Sequence, residues 1–160
     1  MAKAEITKGR IRAISVSSEK GTPKINVVRA DLKADFGIVG DAHAGNWPRQ
    51  ISLLAAESIH KMTEQGLKVT PGDFGENLTT EGVETSVLRV GCKLRIGEDV
   101  EIEITQVGKR CHGRCGVYRR VGDCIMPREG LFAKVNKGGR VKTGDVVEIV
   151  DAQSGNTDGQ

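Results

Sequence analysis

Leu88-Arg89-Val90-Gly91-Cys92-Lys93-Leu94-Arg95-Ile96-Gly97-Glu98-Asp99-Val100-Glu101-Ile102-Glu103-Ile104 is the stretch that decides the fold. Leu88, Val90, Cys92, Leu94 and Ile96 alternate with other residues, as do Val100, Ile102 and Ile104. That period of two belongs to strands with one buried face. Gly97-Glu98-Asp99 between the two runs fits a hairpin turn. Near the other end, Val141-Lys142-Thr143-Gly144-Asp145-Val146-Val147-Glu148-Ile149 echoes residues 88–96: an apolar residue, a turn glycine and an alternating strand recur in order. We read these as two similar barrel-corner strands and assign Cys92 to the core.

Working outward, Arg10 to Ser17 and Lys24 to Arg29 read as strands. Ala34 to Arg49 reads as a long loop rich in Gly, Asp, His and Asn. Ile51 to Leu54 reads as a short buried strand, and Ala55 to Gln65 as the one convincing helix. Ala55, Ile59 and Met62 share its face, and Gly66 is its stop signal. His60 on that helix is expected to be solvated or to serve as a cap. A second glycine-rich loop follows, Pro71-Gly72-Asp73-Phe74-Gly75-Glu76-Asn77. The sum is a mainly β, partly closed barrel with one or two short helices. It forms a single domain over residues 1–151, and the polar stretch 152–160 is expected to be a disordered tail.

Of the 160 residues, 21 are glycine and 3% are aromatic, which favours short strands and tight turns over long helices. The net charge of +3 is too weak to argue for nucleic acid, and the scarce aromatics leave few platforms for stacking bases. Lys109, Arg110, Arg114, Arg119, Arg120 and Arg128 are nevertheless concentrated locally, which suits a small anionic ligand. The polar start has no signal-peptide core and no apolar run is long enough to span a bilayer. The expectation is a cytoplasmic chain whose 4 cysteines stay reduced.

The richest chemistry lies in Lys109-Arg110-Cys111-His112-Gly113-Arg114-Cys115 and in Cys124-Ile125-Met126-Pro127-Arg128-Glu129-Gly130. Cations beside a cysteine stabilise its thiolate, which is a nucleophile, a soft metal ligand and a persulfide carrier. Arginines add forked donors for phosphate. Three readings stay open here. One is a reactive or metal-ligating thiolate in an anion pocket. The second is structural zinc held by Cys111, His112, Cys115 and Cys124, although paired CxxC knuckles are missing. The third is buried cysteines serving as small hydrophobes.

In the first loop, Gly37-Ile38-Val39-Gly40-Asp41-Ala42-His43-Ala44-Gly45, glycines let backbone N–H groups approach an anion. His43 is a candidate donor or proton relay, or an ordinary solvated residue; Trp47 and Pro48 are expected to cover the barrel end. In the second loop, Asp73 and Glu76 are candidates for acid and base, or for caps on local backbone, the commoner role in turns. Neither GxxxxGK[ST] nor GxGxxG occurs.

Taken in order, these stretches resemble the MOSC family, named for the C-terminal domain of molybdenum-cofactor sulfurase. The resemblance runs through residues 37–43, Gln50-Ile51-Ser52-Leu53, residues 71–78, Leu88-Arg89-Val90-Gly91, Glu103-Ile104-Thr105-Gln106, Cys111 and residues 141–149. It implies a barrel-like fold that binds a molybdenum (or tungsten) pterin cofactor. It implies Cys111 as the catalytic thiol and metal ligand, with Cys115 as a shifted alternative and Cys124 as a helper thiol. His43, Arg49, Ser52, Gly75, Glu76, Asn77, Arg114 and Arg128 become the candidate cofactor-binding residues. Arg110 stands where many relatives have proline, and Cys115 and Cys124 resemble a short stand-alone subgroup linked to cofactor biosynthesis.

The first expectation is therefore a carrier, insertion or sulfuration protein for that cofactor, with molybdoenzymes or cofactor-biosynthesis proteins as partners. The alternatives are a cofactor-dependent reductase of N-hydroxylated compounds and a structural zinc-binding interaction module.

Overall fold

The structure is a computed structural model that describes residues 8–20, 22–108 and 125–151. In chain order it contains β1 (Lys8–Val16), β2 (Ile25–Val27), β3 (Arg29–Lys33), β4 (Gly37–Ile38) and β5 (Ile51–Ala55). Helix α1 (Ala56–Glu64), β6 (Leu78–Glu81), β7 (Lys93–Ile96) and β8 (Val100–Val107) follow. The short helix α2 (Met126–Glu129), β9 (Leu131–Lys137), β10 (Gly139–Lys142) and β11 (Val146–Asp151) are the last elements of the described residues. The residues expected to form a tail, 152–160, lie outside the described residues.

The main sheet runs β11-β7-β8-β9-β5-β6-β1-β2, and an additional pairing of β11 with β1 closes it into a barrel. Closure rests on the antiparallel pairs Lys8↔Glu148, Gly9↔Val147 and Arg10↔Val146. Farther along, β1 holds β2 through Ile14↔Val27 to Val16↔Ile25. One strand thus serves the barrel seam with its first half and a peripheral strand with its second. A smaller sheet, β10-β3-β4, lies beside it.

Alternation fills the barrel interior. Ile11 and Ile14, Ile51 and Leu53, Leu94 and Ile96, and Val100, Ile102 and Ile104 belong to one buried cluster, joined by Leu131, Ala133 and Val135. Cys92 is fully buried in the same cluster, as its place in the sequence pattern indicated. A second cluster lies on the outside of the wall: Leu54, Ile59, Met62, Val69, Phe74, Ile125, Met126 and Phe132. Strand β5 is buried on both faces because it stands between the clusters. It pairs in parallel with β6, and α1 lies in the connection between them, as a parallel crossover requires. Helix α1 ends as its glycine predicts: Gly66 has φ 100°, and Leu67 N donates to Met62 O at 3.2 Å.

Three expectations need correction. Residues 88–96 are not one strand: β7 starts at Lys93, and Thr85–Val87 form a 3-10 turn. Gly91 at φ 97° and the Cys92 N to Arg89 O bond of 3.0 Å fold residues 89–92 into a turn, leaving Val90 exposed. The strand expected over Lys24 to Arg29 is interrupted at Val28, where the chain leaves β1 for the small sheet. The 34–49 loop carries the two-residue β4, which extends that sheet. The echoing segments prove to be neighbours, because β11 pairs antiparallel with β7 through Val147↔Ile96 to Ile149↔Leu94. No helix among the described residues is long and apolar enough to cross a membrane.

Candidate functional site

Strand register lines up a row of side chains across the outer face of the barrel. Gln106 of β8 pairs with Phe132 of β9, and Phe132 pairs with Ser52 of β5. Ser52 N donates to Asn77 Oδ1 at 3.0 Å, and Asn77 N donates back to Ser52 Oγ at 3.0 Å. Asn77 then reaches β1: its Nδ2 donates to Ser15 O at 3.0 Å, and its carbonyl accepts from Ser15 N at 2.8 Å. Ser15 in turn pairs with Asn26 of β2, whose Nδ2 donates to Ser15 Oγ at 2.8 Å. The flanking Ile14, Leu53, Leu131 and Ala133 belong to the interior cluster, so the row faces outward.

The 71–77 loop covers this row. A Cβ on Gly72 would stand 2.7 Å from Ser15 Oγ, so glycine is required for the loop to lie this close, and its φ of 97° requires it again. Asp73 Oδ2 accepts from Thr70 N at 2.8 Å, which makes it a local cap. Ser52 Oγ donates to Gly75 O at 3.3 Å. Glu76 is fully buried, and its Oε2 accepts from Gly72 N at 2.7 Å and Thr79 Oγ1 at 2.8 Å. Burial pushes its carboxyl up, more than those donors pull it down, and the net shift is upward. Its Oε1 has no hydrogen-bond partner among the described residues. Ser52, Gly75, Glu76 and Asn77, chosen from sequence, therefore meet in space.

At the β2 end of the row lies a charged group. Lys24 Nζ donates to Asp41 Oδ1 at 2.9 Å and to Ser17 Oγ at 3.2 Å. Both side chains are out of water, at 2% and 0% exposure. Asp41 also accepts from Ser17 N and from His43 N, each at 3.0 Å. Burial pushes the Asp41 carboxyl up, but hydrogen bonds from His43, Lys24 and Ser17 outweigh it and hold the group below the ordinary carboxylate range. His43 Nδ1 stands 3.4 Å from Lys24 Nζ, and its side chain remains 39% exposed. Trp47 Nε1 donates to His43 O at 2.8 Å, so the tryptophan expected to cover the barrel end pins the histidine backbone.

At the β8 end, Arg49 Nε donates to Gln106 Oε1 at 3.0 Å, and its guanidinium lies 4.9 Å from the Phe132 ring centre. Its terminal nitrogens have no hydrogen-bond partner among the described residues. Gln106 Nε2 donates to Gly108 O at 2.9 Å, and Gly108 N donates to Gly130 O at 2.7 Å. Gly108 is thus fixed where the chain leaves for residues 109–124. Cys111, Arg114, Cys115 and Cys124, with His112 of the zinc alternative, lie outside the described residues. Among the described residues no group of three or more His, Cys, Asp or Glu could hold a metal ion.

Arg128 does not join the row. It lines a cleft of about 580 Å³ with Lys61, Arg89 and Glu129, over Val83, Leu88 and Leu131. His60 is solvated and pairs with Glu64 at 3.1 Å. Sequence reasoning missed Lys24, Ser15, Ser17 and Asn26. Ser15 and Asn26 belong to a polar face of β1 and β2 that reads as solvent-facing until the 71–77 loop is laid over it, and Ser17 and Lys24 are covered by the first loop through Asp41.

A family model described as MOSC domain matches residues 40–148. A search of curated protein sequences found no match. Among solved structures, the YuaD protein from Bacillus subtilis is similar with a TM-score of 0.73 at 16% identity, over 89% of this chain and 95% of that one. YiiM from Geobacillus stearothermophilus is similar with a TM-score of 0.67 at 17% identity, over 92% and 77% of the respective chains. YiiM from Escherichia coli gives 0.64 at 22% identity, over 89% and 70%. At these identities the likenesses establish the fold.

Proposed function

The chain belongs to the MOSC domain family, a family associated with molybdenum-cofactor functions, and on that premise we propose that it binds and handles the molybdenum or tungsten pterin cofactor as a carrier, insertion or sulfuration protein. The observation that carries this reading is Arg49. Its Nε and its ring-facing side are fixed by Gln106 and Phe132, while its terminal nitrogens stay uncommitted. A guanidinium fixed in this way presents a fork of donors to a phosphate without losing rotamer freedom on binding. It stands beside the root of the segment that carries Cys111, three residues beyond Gly108.

The donor set fits the group. A pterin cofactor brings a phosphate, polar ring edges and dithiolene sulfurs that hold its metal. Arg49 and Arg114 are assigned to the phosphate, His43 to an oxygen of the ligand, and Arg128 to approach from the cleft it lines with Val107. Ser52, Gly75, Glu76 and Asn77 act by holding the 71–77 loop as a rigid wall. Cys111 supplies a thiolate, which ligates a soft metal or carries sulfur, and Cys124 is a second thiol on the same segment; Cys115 is the alternative ligand.

The test is elemental analysis of protein purified anaerobically from cells supplied with molybdate and tungstate. Near-stoichiometric molybdenum or tungsten is expected, falling at least tenfold in Cys111→Ser with an unchanged Tm. Near-stoichiometric zinc with neither metal would defeat the reading in favour of a structural zinc site.

A further inference from the structure

Every hydrogen-bonding atom of His43 but one is occupied. Its backbone N donates to Asp41 Oδ2 at 3.0 Å, and its backbone O accepts from Trp47 Nε1 at 2.8 Å. Its Nδ1 faces Lys24 Nζ at 3.4 Å. An ammonium can only donate, so in this contact Nδ1 is the acceptor, which puts the ring proton on Nε2. Asp41 Oδ2 lies 3.6 Å from Nδ1, farther than Lys24 Nζ, and already accepts from the His43 backbone. Nε2 has no hydrogen-bond partner among the described residues, and the side chain is half-buried.

We infer that Lys24 and Asp41 are positioning residues that hold His43 with its ring proton on Nε2, free to donate to an oxyanion of the bound ligand. The inference deepens the proposed function, and it rests on that function only for the identity of the ligand. Lys24 is withdrawn from water, so it reaches a ligand only through His43. The surrounding charges favour an acceptor that is negative. Lys24 and Asp41 offset each other, and Lys20 adds a cation 5.8 Å from the centre of the Trp47 ring that pins His43. An oxyanion of this kind is either a phosphate monoester or a metal-oxo group.

The arrangement explains why a histidine with no strand or helix of its own is held in place. The 41–43 segment is fastened by Ser17 to the end of β1, and Ala42 N donates to Ser17 O at 2.8 Å. A ring fixed this firmly loses little entropy on binding.

The experiment is nitrogen-15 NMR of the histidine side chains in the full chain at pH 8, without cofactor, with resonances assigned through His43→Gln. A single Nε2–H tautomer is expected for His43, relaxing toward a tautomer mixture in Lys24→Met. A mixed or Nδ1–H ring in the native chain would overturn the inference. The conservative Lys24→Arg variant, which keeps a cation, covers the case in which Lys24→Met does not fold, and it is expected to preserve the tautomer. Titration with inorganic phosphate and, separately, with molybdate is expected to shift Nε2 in one of the two. A shift with phosphate assigns His43 to a phosphate end, and a shift with molybdate to a metal-oxo end. No shift with either at saturating concentrations overturns the donor role. Because neither readout requires bound cofactor, absence of molybdenum and tungsten from the purified protein defeats the proposed function without deciding this one.

Discussion

Asp41 and Glu76 are both carboxylates withdrawn from water on the outer wall of one barrel, and their fates are opposite. Asp41 faces the Lys24 ammonium, the Ser17 N–H and the His43 N–H, and it stays charged. Glu76 has neutral donors alone, with Gly72 N and Thr79 Oγ1 on Oε2, and its second oxygen is left without a hydrogen-bond partner among the described residues. Its carboxyl is pushed up. The partners set the direction: a full opposite charge offsets desolvation where neutral donors do not, and Glu76 is also the more deeply buried of the two.

The largest way to break the comparison is Lys24→Met. It leaves Asp41 buried without its cation, and a loss of about 3–5 kcal/mol is expected in chemical denaturation. The native chain's dependence on pH follows from the same pair. The folded Asp41 pKa is depressed, so its contribution is complete above the unfolded value of about 4 and is lost as pH falls toward the folded value. Lys24→Met is expected to flatten that acid limb.

Asn77→Ala comes next. It strips partners from the buried Ser52 N–H and Ser15 C=O, and a loss of about 2–3 kcal/mol is expected. Glu76→Gln is smaller and opposite in sign. The amide oxygen keeps the Gly72 and Thr79 bonds, while the burden of a buried charge disappears. Folded Glu76 holds its proton more tightly than the unfolded chain does, so native stability falls as pH rises above about 4.3. The variant is expected to be at least as stable as the native chain at pH 7, with no advantage at pH 4; a loss at pH 7 would show that the carboxylate is paired after all. The smallest effect is His60→Ala. Its exposed pair with Glu64 makes a control for the buried one, and a change within about 0.5 kcal/mol is expected in the same denaturation series.

The barrel core was legible because alternation is a local signal: Val100, Ile102 and Ile104 point inward, and Cys92 goes with them. The helix and its Gly66 stop were legible for the same reason. The turn at residues 89–92 was not, because apolar spacing alone cannot reveal that Gly91 takes a positive φ. The candidate site was half legible. The glycine-rich loops stood out by composition, and Ser52, Gly75, Glu76 and Asn77 do converge. The row itself could not be read, since Gln106, Phe132, Ser52 and Ser15 come together only through the pairing of four strands and the Asn77 bridge. Lys24 was silent because its partner, 17 residues away, is chosen by the path of the first loop.

The seam between β1 and β11 has a consequence in time. Lys8 to Arg10 meet Val146 to Glu148, so the ring cannot close until almost the whole described chain has been synthesised. Contacts this distant in sequence form slowly, because the intervening chain must first be ordered. Until then the first half of β1 and the outer side of β7 are bare strand edges on a growing polypeptide, the kind of edge that recruits a strand from another molecule. For this protein, the interval between synthesis of β1 and arrival of β11 is the period of greatest exposure to misassembly.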